Sequence, residues 1–335
     1  MRQPVPSVNR LRVHTVDALR GFAALSVCWF HLTNGNARFL SDGYLKLSGA
    51  YGWTGVQIFF VISGFIIPLS LWQSGYRLKN YARFIAKRIV RLDPPYLLSI
   101  LLVLALTYLS VLLPGFHGKL PTYSLPQMLA HIGFLNAFFG YEWVNIVYWS
   151  LAIEFQYYLL IALLFPLLVH PQSWIKLSTC LLLLLTGLWI PPEQFVFAWL
   201  PLFLLGIFTF YHKVGLLDKK LTGAALIILT SYIYWKIAGA VALVGLLTSG
   251  VILWVEIKSK LLKFSGDISY SLYLVHLPIG VRIINLSAPY AGSLPIKIIS
   301  LAGALGLSIG VAYLFYFFIE LPSREWSSSI SYDAT

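Results

Sequence analysis

Residues 16–31 read VDALRGFAALSVCWFH, and the fold turns on two letters of that run. Arg20 and His31 stand inside an apolar stretch long enough to span a membrane, eleven residues apart. Ionisable side chains in a lipid-facing segment are costly, so they face the interior of a helix bundle and mark a functional path. Eleven steps at about 3.6 residues per turn make roughly three turns, which puts both side chains on one helix face, roughly 16 Å apart along the axis. One stripe of a first span thus carries a permanent cation near one membrane surface and a titratable imidazole near the other.

The rest of the chain agrees with a membrane setting. Of its 335 residues 59% are hydrophobic and 11% charged, against about 25% charged in soluble domains. The net charge of +12 does not point to nucleic acid, because the basic residues lie between apolar runs, where the positive-inside rule accounts for them. Cys28 and Cys180 each fall in an apolar stretch, match no metal or redox spacing, and read as small packing residues. Arg2, Arg10 and Arg12 precede the first apolar run, but Cys28-Trp29-Phe30-His31 stands where a small-residue cleavage site would be, so the run reads as an uncleaved first span.

Ten apolar segments can be drawn, at about 16–34, 52–72, 92–113, 148–169, 174–191, 195–212, 221–237, 239–256, 267–286 and 296–319. In lipid each backbone must pair internally, so each is expected to be a helix. The expectation is an all-α integral membrane protein, a bundle of about ten transmembrane helices in one membrane domain, 1–326, with a short cytoplasmic tail, 327–335. Trp53, Trp72, Trp149, Trp174, Trp235 and Trp254 fall near span ends, as in an interfacial belt. Both termini are expected in the cytoplasm: that orientation gathers Lys213, Lys219, Lys220, Lys258, Lys260, Lys263 and the cations of 77–91 inside, and leaves Arg38, Lys46, Lys119, Lys236, Arg282 and Lys297 outside. Segment 124–140, SLPQMLAHIGFLNAFFG, is interrupted by Gln127 and His131; as an eleventh span it would reverse the downstream charges, so it reads as a re-entrant or interfacial helix.

Polar residues within the spans sort by depth into two layers. Towards the cytoplasm lie Asp17, Arg20, Arg88, Arg91 and Glu320; towards the outside lie His31 and Glu154, with His276 in mid-span. Arg88 and Arg91 are three apart and share a face if their helix starts early; paired guanidiniums suit a multiply charged phosphate ligand, although a positive inner loop also has a purely topological reading. Asp17 is placed to pair with Arg20 at i,i+3. Imidazole is the side chain best suited to take a proton near neutral pH, and a buried carboxylate such as Glu154 beside His31 would orient the ring and stabilise its charged form. His276 reads first as a packing or hydrogen-bonded histidine. Ser63-Gly64 and Gly206 read as small-residue helix contacts. The chain has no Gly-rich phosphate loop ending in Lys-Ser/Thr, no His-Glu-x-x-His, no Cys-x-x-Cys and no Gly-x-Ser-x-Gly.

Six segments, in this order along nearly the whole chain, resemble the membrane acyltransferase-3 family: 16–31 as quoted, GVQIFFVISGFIIP (55–68), KRIVRLDPPY (87–96), YWSLAIEFQYYLL (148–160), SGDISYSLYLVHLP (265–278) and FIELPSREW (318–326). Arg20-x10-His31 and Arg88-x-x-Arg91 match its two signature motifs. The resemblance implies a ten-span bundle in the bacterial inner membrane. It also implies acyl-CoA as donor, with acetyl the usual group, and a hydroxyl of a carbohydrate or lipid-linked glycan as acceptor. His31 would be catalytic, as general base or transient acyl carrier, with Glu154 steadying it; Arg20, Arg88 and Arg91 would bind the donor. Neither a metal nor nucleic acid is expected. Some relatives carry a fused SGNH-type domain after the bundle; with none following here, the bundle or a separate partner would complete transfer. A transporter of a lipid-linked saccharide is the competing class, but it would be expected to show repeat symmetry or paired broken helices, and neither is visible. Acceptor identity and oligomeric state stay open on sequence.

Overall fold

The computed structural model describes residues 14–112, 121–189 and 193–332; Arg2, Arg10, Arg12 and Lys119 lie outside them. The described residues are helical throughout their ordered elements, with no strand among them. Helix α1 spans His14–Asn34. The short α2 (Tyr44–Gly49) and a 3-10 turn lead into α3 (Gly55–Gln73), and α4 runs unbroken over Tyr81–Val111. Two short helices follow, α5 (Leu125–Ile132) and α6 (Asn136–Phe139), then α7 (Tyr148–Leu168), α8 (Ser173–Trp189) and α9 (Val196–Lys213). Next come α10 (Lys219–Lys236), α11 (Gly239–Trp254), α12 (Lys260–Asp267), α13 (Ser269–His276) and α14 (Arg282–Ser287). The chain closes with α15 (Leu294–Phe315) and α16 (Leu321–Ser329).

Each of the ten expected spans is helical, but length and apolarity single out six stretches able to cross a membrane: Tyr44–Gln73, Leu78–Val111, Tyr148–Leu168, Val196–Lys213, Ser269–Tyr290 and Leu294–Ser329. Ser173–Leu188 and Gly239–Trp254 are apolar and shorter. Helix α1 falls outside the six because Asp17, Arg20 and His31 dilute its apolar run. Its position explains why that is tolerable: it is a central helix, packed on α3, α12 and α13. Small residues let those neighbours approach. A Cβ added to Gly55 would lie 2.5 Å from the Ala23 carbonyl, and one on Gly266 would lie 2.1 Å from that of Asp17.

Helices α3 and α9 form the tightest pair, at the small residues read from sequence. A Cβ on Gly64 would sit 2.1 Å from the Phe203 carbonyl, and one on Gly206 would sit 2.1 Å from that of Val61. Around this crossing the rings of Phe60 and Phe203 stack at 5.0 Å, and those of Tyr157 and Phe203 at 4.0 Å. Trp149 joins this interior cluster through Trp199, 5.4 Å away, so it packs inside the bundle, whereas Trp174, Trp235 and Trp254 are exposed. Cys28 and Cys180 are both buried free thiols.

Segment 124–140 is two short helices, α5 and α6, joined through Phe134 at φ 56°; about eight residues of helix rise only about 12 Å, far too little to cross. His131 ties the turn together: Nδ1–H donates to the Gln127 carbonyl at 2.9 Å, while Nε2 accepts from the Val144 N–H at 3.1 Å.

The frame that carries α4 is fastened at both ends. At its far end Arg282 of α14 donates to the Leu106 carbonyl and the Ser110 hydroxyl. At its near end α16 runs through the 326/327 boundary where the tail was expected to begin. Ser327 donates to the Lys87 carbonyl at 2.8 Å, and Lys87 Nζ donates to that of Ile330 at 3.2 Å. Residues 333–335 lie outside the described set.

Candidate functional site

Helix α1 presents Arg20 and His31 inwards at two levels. At the Arg20 level a cavity of about 340 Å³ opens among α1, α3, α4, α7, α13 and α16. Arg20, Arg88 and Arg91 all line it, because α4 begins at Tyr81 and so carries Arg88 and Arg91 on one helical face. Sequence reasoning missed a fourth guanidinium: Arg324 of α16, within segment 318–326, also faces this space. Its nearest described aromatic support is the Tyr316 ring, 5.9 Å away.

Four carboxylates, Asp17, Glu154, Asp267 and Glu320, line the same cavity, and three of them are held by other groups. Glu154 accepts from the Ser63 hydroxyl and the Tyr158 phenol, each at 2.5 Å. Glu320 accepts from the backbone N–H and hydroxyl of Ser271, at 3.2 and 2.7 Å. Asp267 pairs with Lys263 at 2.5 Å. Among the described residues no carboxylate lies within ion-pairing distance of Arg20, Arg88, Arg91 or Arg324, so the expected Asp17–Arg20 pair does not form. Arg88 lies over the rings of Phe84 and Tyr158, at 5.1 and 5.4 Å, and its Nε is buried without a partner. A buried guanidinium N–H left unpaired is costly, a lack that an anionic group would fill. Planar forks of this kind match phosphate oxygens.

The level above is built differently. The His31 ring is half-buried and lies 5.3 Å, centre to centre, from that of His276. His276 is fully buried, at the last turn of α13, where the helix widens into a π segment, Leu277–Val281; such widenings recur at functional sites. Its Nδ1 bonds the Leu272 carbonyl at 3.0 Å. Tyr273 stands next in the row, 5.8 Å from His276 and 6.0 Å from Phe59, with its hydroxyl held by Ser150 at 2.6 Å. Phe59, Ser150 and Tyr273 line the cavity; His31 and His276 stand behind that aromatic layer.

The companion of His31 is therefore His276 and not Glu154. Neither the depth of Glu154 nor the rotation of its helix was legible in the sequence. Glu154 turns towards Ser63 of α3 and towards Tyr158, its own i+4 neighbour, which places it with the arginines. The Tyr158 contact was within reach of sequence, since i,i+4 residues share a helix face. Asp93, beside the arginine pair, does not line the cavity.

A family model described as an acyltransferase domain matches residues 13–317. Among curated proteins the chain is similar to the O-acetyltransferase OatA of Staphylococcus aureus, in strains NCTC 8325 / PS 47 and COL alike. Identity is 27% over 366 residues, covering 92% of this chain and 57% of the relative. The chain thus spans little more than half the length of these relatives. No solved structure matches it.

Proposed function

The chain belongs to the acyltransferase-3 family, and from that premise we propose an integral membrane O-acyltransferase that moves an acyl group, acetyl in the first instance, from acyl-CoA on the cytoplasmic side to a hydroxyl of a carbohydrate or lipid-linked glycan. The observation that carries this reading is the pair of levels on one helix: unpaired guanidiniums around a cavity at Arg20, and an imidazole about three turns away at His31. The transporter alternative gains nothing from the family or from the O-acetyltransferase relatives.

In this reading Arg20, Arg88, Arg91 and Arg324 hold the donor phosphates, and the slender pantetheine arm carries the thioester along α1 past Phe59 and Tyr273. The Phe59–Tyr273 layer keeps water from the thioester until those rings part. His31 takes the proton of the acceptor hydroxyl as its oxygen attacks the thioester carbonyl. The C–S bond breaks, the proton passes from His31 to the departing sulfur, and the products are one ester and one free thiol. Glu154 serves the donor level by holding Tyr158 beneath Arg88. The membrane is the bacterial inner membrane. All ten spans cross it within one domain, 1–326, with both termini cytoplasmic and α1 and α10 as less apolar spans.

The test is transfer by detergent-purified protein with acetyl-CoA and a carbohydrate acceptor, beside binding of the labelled donor. His31→Ala is expected to lose transfer and retain donor binding. Transfer that survives in His31→Ala, or donor binding that disappears with it, overturns the division of labour.

A further inference from the structure

His276 has a nitrogen with nothing to bond. Because a carbonyl only accepts, the 3.0 Å contact to Leu272 fixes the proton of His276 on Nδ1 and leaves Nε2 as a bare acceptor. Among the described residues that Nε2 is buried and without a partner, in a side chain that is 0% exposed. Buried polar atoms are nearly always satisfied, and an orphan calls for an explanation. The His31 ring lies against that of His276, 5.3 Å away between centres and tilted by 40°. The terminal torsion of histidine is broad, so the His31 ring is able to turn towards His276. Tyr273, the other ring against His276, has its hydroxyl engaged by Ser150 and the Val147 carbonyl and is not free to fill the role.

We propose that His276 is the positioning residue of His31: its Nε2 accepts one N–H of His31, which fixes the tautomer so that the opposite His31 nitrogen presents its lone pair to the acceptor hydroxyl. The inference rests on the acyltransferase reading. It assigns to a neutral imidazole the orienting task that a carboxylate often performs for a catalytic histidine. When His31 takes the proton, the hydrogen bond to His276 becomes charge-assisted and strengthens, so the pair favours the transition state over the resting state. No proton needs to pass to His276, whose own Nδ1–H stays on Leu272.

Two measurements test it, one of them independent of activity. In 15N spectra of histidine-labelled protein in micelles, His276 is expected to carry its proton on Nδ1, and the hydrogen-bond shift of one His31 nitrogen is expected to vanish in His276→Leu. A His276 protonated on Nε2, or a His31 signal unchanged by the substitution, overturns the proposal even if transfer is never observed. In the transfer assay His276→Leu should lower kcat about 100-fold with the donor KM changed less than twofold. His276→Gln, which restores an acceptor at the Nε2 position, should recover at least tenfold. Equal activity of the Leu and Gln variants, or a loss confined to donor KM, overturns it. Absence of transfer in the unsubstituted protein would count against the parent reading instead, leaving the spectra to decide this one.

Discussion

The two ends of the α1 stripe solve opposite electrostatic problems. At the Arg20 end four guanidiniums face open space, and the carboxylates that share it with known partners are bonded to hydroxyls, an amide or a lysine. At the His31 end two imidazoles and a row of aromatic rings meet, with no ion pair to either imidazole among the described residues. Under the proposed function, the difference teaches that charge for binding is kept apart from the group that changes its protonation. A cation about 4 Å from a protonating imidazole would oppose it by about 4 kcal/mol at an effective dielectric near 20, and at roughly 16 Å by about 1 kcal/mol. Three helical turns supply that separation.

The sharpest break of this comparison is at the outer end. His31→Ala is expected to lower kcat by about 10²- to 10⁴-fold, the usual worth of a general base. Combined with Arg88→Ala its effect should add in free energy, since sites this far apart seldom couple. Strong non-additivity in kcat would mean the two levels are one. Next in size, Arg88→Ala or Arg91→Ala should raise the donor KM by about 10- to 100-fold, as expected for one charge-assisted bond to phosphate, with kcat little changed. Steady-state kinetics over a range of acetyl-CoA concentrations separate the two.

A smaller effect decides where Glu154 belongs. Glu154→Gln keeps an acceptor for Ser63 and Tyr158, so kcat should stay within about threefold of the parent; any change should appear in donor affinity. A collapse as deep as that of His31→Ala would return the carboxylate to the imidazole. The mildest test addresses the frame common to both levels. Gly206→Ala forces a Cβ against the Val61 carbonyl and should cost about 1–3 kcal/mol of stability, the usual penalty for overpacking, read as a lower thermal midpoint in detergent. Transfer per folded molecule should be unchanged.

Much of this was legible because it depends on spacing along one helix. The Arg20–His31 stripe, the Arg88–Arg91 face and the Ser63-Gly64 and Gly206 contacts each follow from a helical period and residue size. Segment 124–140 was legible as something other than a span because its apolar run is short and broken. The Asp17–Arg20 pair and the Glu154–His31 pair failed for a common reason: each assigned a partner by closeness in sequence or depth, where the partner depends on which neighbour a helix turns towards. Arg324 was visible only as a charge, because its place at the cavity follows from α16 folding back onto Lys87 of α4.

Composition and periodicity alone determined an all-helical membrane chain, its apolar segments and the axial separation of Arg20 and His31, since these follow from the cost of polar groups in hydrocarbon and the fixed rise of a helix. Only the tertiary structure decided rotation: that Glu154 sits with Ser63 and Tyr158, that Arg324 joins the other arginines, and that His276 stands beside His31. Those choices are set by how side chains on different helices interlock, and that packing is written in no single segment.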